Sequence, residues 1–374
     1  MKYIGYYDIE DYKSENRRYV LSAVNKMNYI SKSISRITEK TEIVSVANTK
    51  NFRFYKGREN TLGFGELINF STIPGNGFIG RRLSVWFTQL LLFFYLLKNA
   101  KKDEDILVWH GLGYGNAIAL AKKIKKFKII LEVEEIYQDV SNIGTFKNNR
   151  EYRDFKIADK YIFPTEFLNK KLNMENKPYC IIHGTYEVEN DRNVSFNDDK
   201  IHVVYAGTFD PRKGSIAATK ATRWLDENYH VHILGFGSAK DVENMKKIIE
   251  ETNSVSKATV TYDGLLSGEN YIEFLHKCHI GLSPQDPDAS FNATSFPSKI
   301  LSYMANGLRV VSIRIPAIEC SAIGKDIFYY DKQTPEEIAK AIMSVNLNDS
   351  YDSRVRIAEL DKKFCEDLKN VINS

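Results

Sequence analysis

Cysteine is scarce in this chain of 374 residues: Cys180, Cys278, Cys320 and Cys365 are scattered, with no metal-ligand spacing among them. That pattern speaks against a cysteine zinc site and for a reducing compartment. The most apolar stretch, Leu83 to Leu97, is too short and too interrupted to span a bilayer. No basic stripe interleaved with aromatics is present, so nucleic acid is not an expected partner. The opening residues Met1 to Asp8 read as a short strand that reaches acidic side chains within ten positions, unlike a secretory leader. A cytoplasmic protein is expected, in which the tripeptides at Asn193, Asn292 and Asn348 match glycosylation acceptors by pattern only.

What is present is ordinary globular material. Hydrophobic residues make up 43% and charged residues 27%, and the length allows two domains with a core each. The net charge of +4 is unevenly placed: 31 basic side chains stand against 25 acidic ones in residues 1–199, and 21 against 23 in residues 200–374. A basic first half fits an anionic partner such as a membrane surface or a lipid diphosphate, or an ordinary surface fluctuation.

Strands and helices alternate throughout, the pattern of parallel sheets wound on both faces. Strands are expected near 2–7, 42–46, 106–110, 128–133, 160–163 and 179–182, and again near 202–206, 231–234, 258–262, 280–283, 309–313 and 327–330. The polar, Asn- and Asp-rich run from Glu187 to Lys200 reads as a linker. This gives a first domain over 1–188, a linker over 189–200, a second domain over 201–346 and a tail over 347–374. The expected class is α/β, with two Rossmann-like doubly wound domains facing a cleft and ligands outside the carboxyl ends of their strands.

Two strand-to-helix turns carry the clearest chemistry. Phe296-Pro297-Ser298-Lys299 opens a helix that a strand beginning at Arg309 follows. Gly207-Thr208-Phe209-Asp210-Pro211-Arg212-Lys213-Gly214 ends a strand and opens another helix. Free amides and the positive end of a helix favour anions. Lysine there opposes the dipole and needs another reason to be present. Two lysines at two such turns suggest one pyrophosphate, held by Lys213 and Lys299 with Arg212 as a helper.

This pairing resembles the donor-binding half of the retaining sugar-nucleotide glycosyltransferases of family 4, a GT-B group that builds cell-surface glycans, and in particular a subgroup with a Phe-Pro-Ser-Lys helix start. The resemblance implies phosphate binding at Lys213 and Lys299. Donor contacts would come from Gly207, Thr208, Arg212, Gly235, Phe236, Leu265, Ser295, Pro297 and Ser298. The family's two glutamates, eight positions apart, correspond to Thr294 and Ser302, and its usual arginine after the first glycine is Thr208. Its usual histidine near the acceptor is Glu134, which with Glu135 follows the strand Ile129 to Val133. A carboxylate there would orient the acceptor hydroxyl or accept its proton. On the acceptor side stand Asn16 and Arg17, where the family usually has two glycines, and His110 in a glycine-rich loop that imitates a dinucleotide fingerprint only weakly. Lone histidines are more commonly core residues.

The resemblance implies transfer of a hexose from a nucleotide-sugar, UDP-sugar by family habit, with retention and without a metal. The acceptor would be a glycan or a polyprenyl-diphosphate-linked chain in capsule, exopolysaccharide or O-antigen assembly. The tail is expected to return to the first domain. Arg81 and Arg82 before the Leu83–Leu97 stretch, Lys98, Lys101 and Lys102 after it, and the lysines from 122 to 128 fit peripheral docking at the inner face of the cell membrane. A buried helix of the first domain is the competing reading. Rival functions are a catalytically silent binding partner on the same fold, which the missing glutamates favour, and a sugar-nucleotide epimerase or a phosphorylase.

Overall fold

The computed structural model describes residues 1–38, 40–137, 145–289, 292 and 294–374, with the side chains of 145–148 set aside. It divides into two compact units, Met1–Ile182 with Lys363–Ser374, and His183–Lys362.

The first unit holds an eight-stranded sheet in the order β3-β4-β2-β1-β5-β6-β7-β8. Its strands are β1 (Lys2–Gly5), β2 (Thr41–Ser45), β3 (Arg58–Leu62), β4 (Gly65–Asn69), β5 (Asp105–Trp109), β6 (Lys128–Glu132), β7 (Lys160–Phe163) and β8 (Tyr179–Ile181). All pairings are parallel except β3 with β4. The helix Leu21–Ser35 packs Met27, Tyr29, Ile30 and Ile34 inward, and Leu92 and Leu96 of the helix Gly77–Asn99 join the core around Ile4, Val44, Ile106 and Val108. Such burial on both faces explains why the middles of β5 and β6, residues 106–109 and 129–131, read as unbroken apolar runs.

The second unit is a six-stranded, wholly parallel sheet in the order β11-β10-β9-β12-β13-β14. The strands are β9 (Ile201–Thr208), β10 (Tyr229–Phe236), β11 (Thr259–Gly264), β12 (Ile280–Ser283), β13 (Arg309–Ile313) and β14 (Ile327–Tyr330). Counted within the unit, this is the doubly wound order 3-2-1-4-5-6, whose direction of winding reverses between β9 and β12. Crevices at the carboxyl ends of the strands beside that reversal are where such sheets take ligands.

The C-terminal helix Ser353–Asn373 contributes to both units in turn. Ser353 Oγ donates to the Met304 carbonyl at 2.9 Å in the second unit. In the first, Phe364 stacks on Tyr29, and Lys160 Nζ donates to the Ile372 carbonyl at 3.0 Å.

The helix Gly77–Asn99 departs from the reading of it as a buried helix of the first domain. Its buried stripe is Ser84, Thr88, Leu92 and Leu96, so half of what it hides is hydroxyl. Phe78, Ile79, Leu83, Trp86 and Phe94 are more than half exposed. No described helix is long and apolar enough to cross a membrane.

Candidate functional site

The carboxyl end of β9 is where the second unit concentrates its chemistry. Gly207 and Gly235 are register partners on β9 and β10, and a Cβ on Gly235 would sit 2.0 Å from the Gly207 carbonyl oxygen. Only glycine permits that approach. Beside it opens a cavity of about 230 Å³ lined by Gly207, Gly235, Phe236, Leu265, Leu266 and Tyr271. Phe236 and Leu265 present 51% and 63% of their surface to solvent, a large apolar area to leave bare at a pocket mouth.

Lys299 reaches this place from the helix Lys299–Ala305. Tyr303 anchors that helix: its hydroxyl accepts the Ala206 amide at 2.8 Å, and its ring lies flat on Gly281, where a Cβ would be 2.3 Å away. The Lys299 ammonium is thereby held over the backbone of Gly207, 3.1 Å from where a Cβ would be, and 4.3 Å from the centroid of the Tyr205 ring. Enclosure of the ammonium and the nearby charge of Lys213 push its pKa down to about 7. Two cations that raise each other's energy in a partly dry pocket are poised for an anion.

Lys213 is presented by a single 3-10 turn, Pro211–Lys213, rather than by the first turn of the helix Ser215–Ala221. Gly214, at φ +78°, joins the two, and a Cβ there would meet the Pro284 carbonyl oxygen at 1.7 Å. Arg212 is exposed and folds back on Asp210, Nη2 to Oδ2 at 2.7 Å.

The remaining candidates of this unit occupy distinct positions. Thr208 ends β9, and its carbonyl accepts the Tyr205 hydroxyl at 2.8 Å. Thr294 is buried, and Ser295 Oγ is enclosed with no hydrogen-bond partner among the described residues. Phe296 stacks on His183 at 4.7 Å, Pro297 is partly exposed and Ser298 exposed. Ser302 hydrogen-bonds the Tyr271 phenol, so it shapes the cavity wall from behind. Asn292 closes its own loop, donating to the Asp286 carbonyl and accepting from Gln285.

In the first unit, Glu134 pairs with Lys26 of the helix Leu21–Ser35, and Lys26 also lies 4.0 Å from Glu132. Glu132 is fully buried and bonded by the Tyr3 hydroxyl, and burial raises its pKa from 4.5 to about 8. Neither Lys26 nor Glu132 was among the expected site residues. A lysine on the apolar face of a helix, beside Ala23 and Met27, was the available signal. Glu135 is partly exposed, and its carboxylate neighbour Glu134 carries the pairing with Lys26. Arg17 is buried, with Nε on Glu15 at 2.6 Å and Nη1 on the carbonyls of Ala47 and Phe70. Asn16, left-handed at φ 46°, donates to Asn51. His110 is buried against Tyr137 at 4.8 Å, and burial lowers its pKa to about 3, so it is neutral at physiological pH. These placements give Arg17 and His110 packing duties inside the first unit.

Residues 200–348 match the family model described as "Glycosyl transferases group 1", and no curated protein sequence matches the chain. Among solved structures, sucrose-phosphate synthase from Thermosynechococcus elongatus superposes with a TM-score of 0.70 at 13% identity, over 100% of this chain and 98% of that one. The Anabaena protein HepE, solved with UDP and glucose, gives 0.65 at 11% identity over 100% and 99%. The lipopolysaccharide outer core galactosyltransferase WaaB gives 0.62 at 12% identity over 99% and 98%. The chain thus has the fold of the GT-B glycosyltransferases, two parallel-sheet α/β units, and residues 200–348 of its second unit are similar to the group 1 glycosyl transferases.

Proposed function

We propose that the protein transfers a hexose from a nucleoside-diphosphate sugar, with retention, to a glycan or polyprenyl-diphosphate-linked acceptor in cell-surface polysaccharide assembly. The observation that carries the reading is the pair Lys299 and Lys213 at the carboxyl end of β9, beside a glycine-walled cavity with an apolar mouth. A nucleobase suits the Phe236 and Leu265 surface, while the diphosphate suits the two ammonium groups.

The chemistry follows from charge. Breaking the bond between sugar and diphosphate builds negative charge on the leaving oxygens. Cations already fixed in place stabilise that charge without reorganising, the largest single contribution in many group transfers. No metal has a part in this reading, since two lysines supply the positive charge. Glu134 or Glu135 would orient the acceptor hydroxyl. Neither Thr294 nor Ser302 can replace a glutamate's charge, so donor hydroxyls must be held by neutral groups, among them Ser295 Oγ, which has no partner among the described residues. UDP is the favoured nucleotide, in keeping with HepE. The exposed Phe78, Leu83 and Trp86, flanked by exposed Arg81, Arg82 and Lys98, support docking on an anionic membrane face.

A thermal-shift panel of UDP, GDP, ADP and their common sugar conjugates tests the donor site. Selective stabilisation by one nucleotide, lost in Lys213→Ala and Lys299→Ala, is the expected outcome. Stabilisation that survives both substitutions would remove the lysine pair from the site. A selective shift without turnover of any sugar conjugate would favour a silent binding partner, to which the absent glutamates lend weight.

A further inference from the structure

We propose that His202, His230 and His232 form a binding site for one divalent cation of the zinc class, on the opposite half of the second sheet from the lysine pair. The placement follows from strand register. His202 on β9 and His230 on β10 are direct parallel partners, and His232 lies two residues further along β10. Side chains repeat their face every second residue, so the three imidazoles share one face. One ring nitrogen from each lies within 4.8 Å of the others.

The hydrogen-bond pattern shows why a cation fits. His202 Nδ1 and His232 Nε2 face each other at 2.9 Å. The second nitrogen of each ring is held by a carboxylate: His202 Nε2 by Asp198 Oδ1 at 2.7 Å, and His232 Nδ1 by Asp263 Oδ2 at 3.1 Å. An ionised carboxylate only accepts, so each outward nitrogen carries its ring's proton. Both inward nitrogens are then bare lone pairs pointed at one another, which is repulsive unless something positive sits between them. His230 follows the same logic. The Thr261 hydroxyl donates to Asp263 at 2.9 Å and so accepts from His230 Nε2 at 3.1 Å, leaving Nδ1 of that ring without its proton.

A shared proton would also relieve the clash; the aromatic cover disfavours that charge and the two carboxylates favour it, so a metal titration distinguishes proton from cation. Phe196 covers His202 and His232 at ring separations of 4.1 and 4.8 Å, and Phe274 meets His232 edge-on at 5.1 Å. Neutral imidazole is the form that binds metal. Zinc–nitrogen bonds of about 2.0–2.1 Å in a tetrahedral set place the nitrogens roughly 3.3 Å apart, so His202 and His232 need separate by only a few tenths of an ångström. Carboxylates behind the ligating rings are the outer shell that such sites use to fix the tautomer. No motif spacing announced this, since the ligands come from two strands nearly thirty residues apart.

The site lies apart from the cavity. His230 lies six residues before Phe236 on the same strand, roughly 20 Å from the cavity mouth. What the ion would secure is the segment carrying Phe196 and Asp198, which enters the second sheet here. The experiment is a titration of the full-length chain, freed of metal by a chelator, with Co²⁺ followed by competition with Zn²⁺. One equivalent of Co²⁺ with the visible absorption of a four-coordinate site, three imidazoles and a water, displaced by Zn²⁺, is the expected result. His232→Asn should abolish it. Because that variant alters the core, Asp198→Asn is the second arm: it keeps all three ligands and should lower affinity ten- to a hundred-fold. Absence of saturable one-to-one uptake by the wild type overturns the proposal, and so does uptake that Asp198→Asn leaves unchanged. Nucleotide-induced stabilisation, measured on the same samples, reports on the lysine site separately.

Discussion

Lys299 carries a pH dependence whose sign can be worked out. Its ammonium titrates near 7 because it is enclosed and faces Lys213, whereas a bound diphosphate would favour the charged form and raise that value. Above pH 7, then, binding must take up a proton, and affinity for the nucleoside diphosphate should fall toward tenfold per pH unit until the pKa of the complex is reached. Calorimetry at pH 8 in buffers of different ionisation enthalpy should give close to one proton absorbed per nucleotide in the wild type and none in Lys299→Ala; equal uptake in both would assign the proton elsewhere. Glu132 offers a second test. Its folded pKa is raised above the unfolded 4.5 to about 8, so the folded state holds more protons in that window and its stability must fall as pH rises through it. Glu132→Gln copies the protonated form. Denaturant unfolding at pH 6 and pH 9 should show the wild type losing on the order of a kcal/mol more than the variant. Of the candidate site residues, Lys299 was legible from the helix start it occupies, and Lys213 only as a residue near one, since it stands on the 3-10 turn before the helix. Lys26, Glu132 and the histidines were not, because their meaning depends on partners dozens of residues away.

At the scale of elements, the sequence marks twelve strands, and each coincides with one in the structure. Of the two it missed, β3 and β4, the first explains itself: β3 lies at the sheet edge, pairs with β4 and is polar in Arg58, Glu59, Asn60 and Thr61, with no residue fully buried. Edge strands need no apolar run. Leu83 to Leu97 was ambiguous for the opposite reason, since apolar content cannot tell a helix buried in protein from one that presents its apolar face outward. Burial of Ser84 and Thr88 with exposure of Trp86 decides which face is which. Sedimentation with vesicles containing phosphatidylglycerol should therefore capture the protein at low salt and release it at high salt. Trp86→Glu should weaken capture about tenfold or more while leaving thermal unfolding unchanged, since 61% of the Trp86 surface is already in water. Capture that is insensitive to Trp86→Glu would move the contact to another surface.

At the scale of the whole molecule, the last helix is one continuous element whose two ends serve different cores. Its later half buries Phe364, Leu368 and Val371, and residues from Lys363 onward count with the first unit. Removal of a buried phenylalanine costs about 3–5 kcal/mol where the core cannot collapse around the gap. Phe364→Ala should therefore lower the unfolding transition of the first unit. The second unit retains Ser353 Oγ on the Met304 carbonyl and its own sheet, so its transition should be spared. The two transitions can be told apart by nucleotide, because a ligand raises only the transition of the unit that binds it. In calorimetry, Phe364→Ala is thus expected to split the wild-type unfolding profile, with an early transition that UDP leaves in place and a later one that UDP moves upward. A single transition, lowered as a whole and still shifted by UDP, would mean instead that the two cores unfold as one cooperative block and that the continuous helix transmits the loss from one to the other.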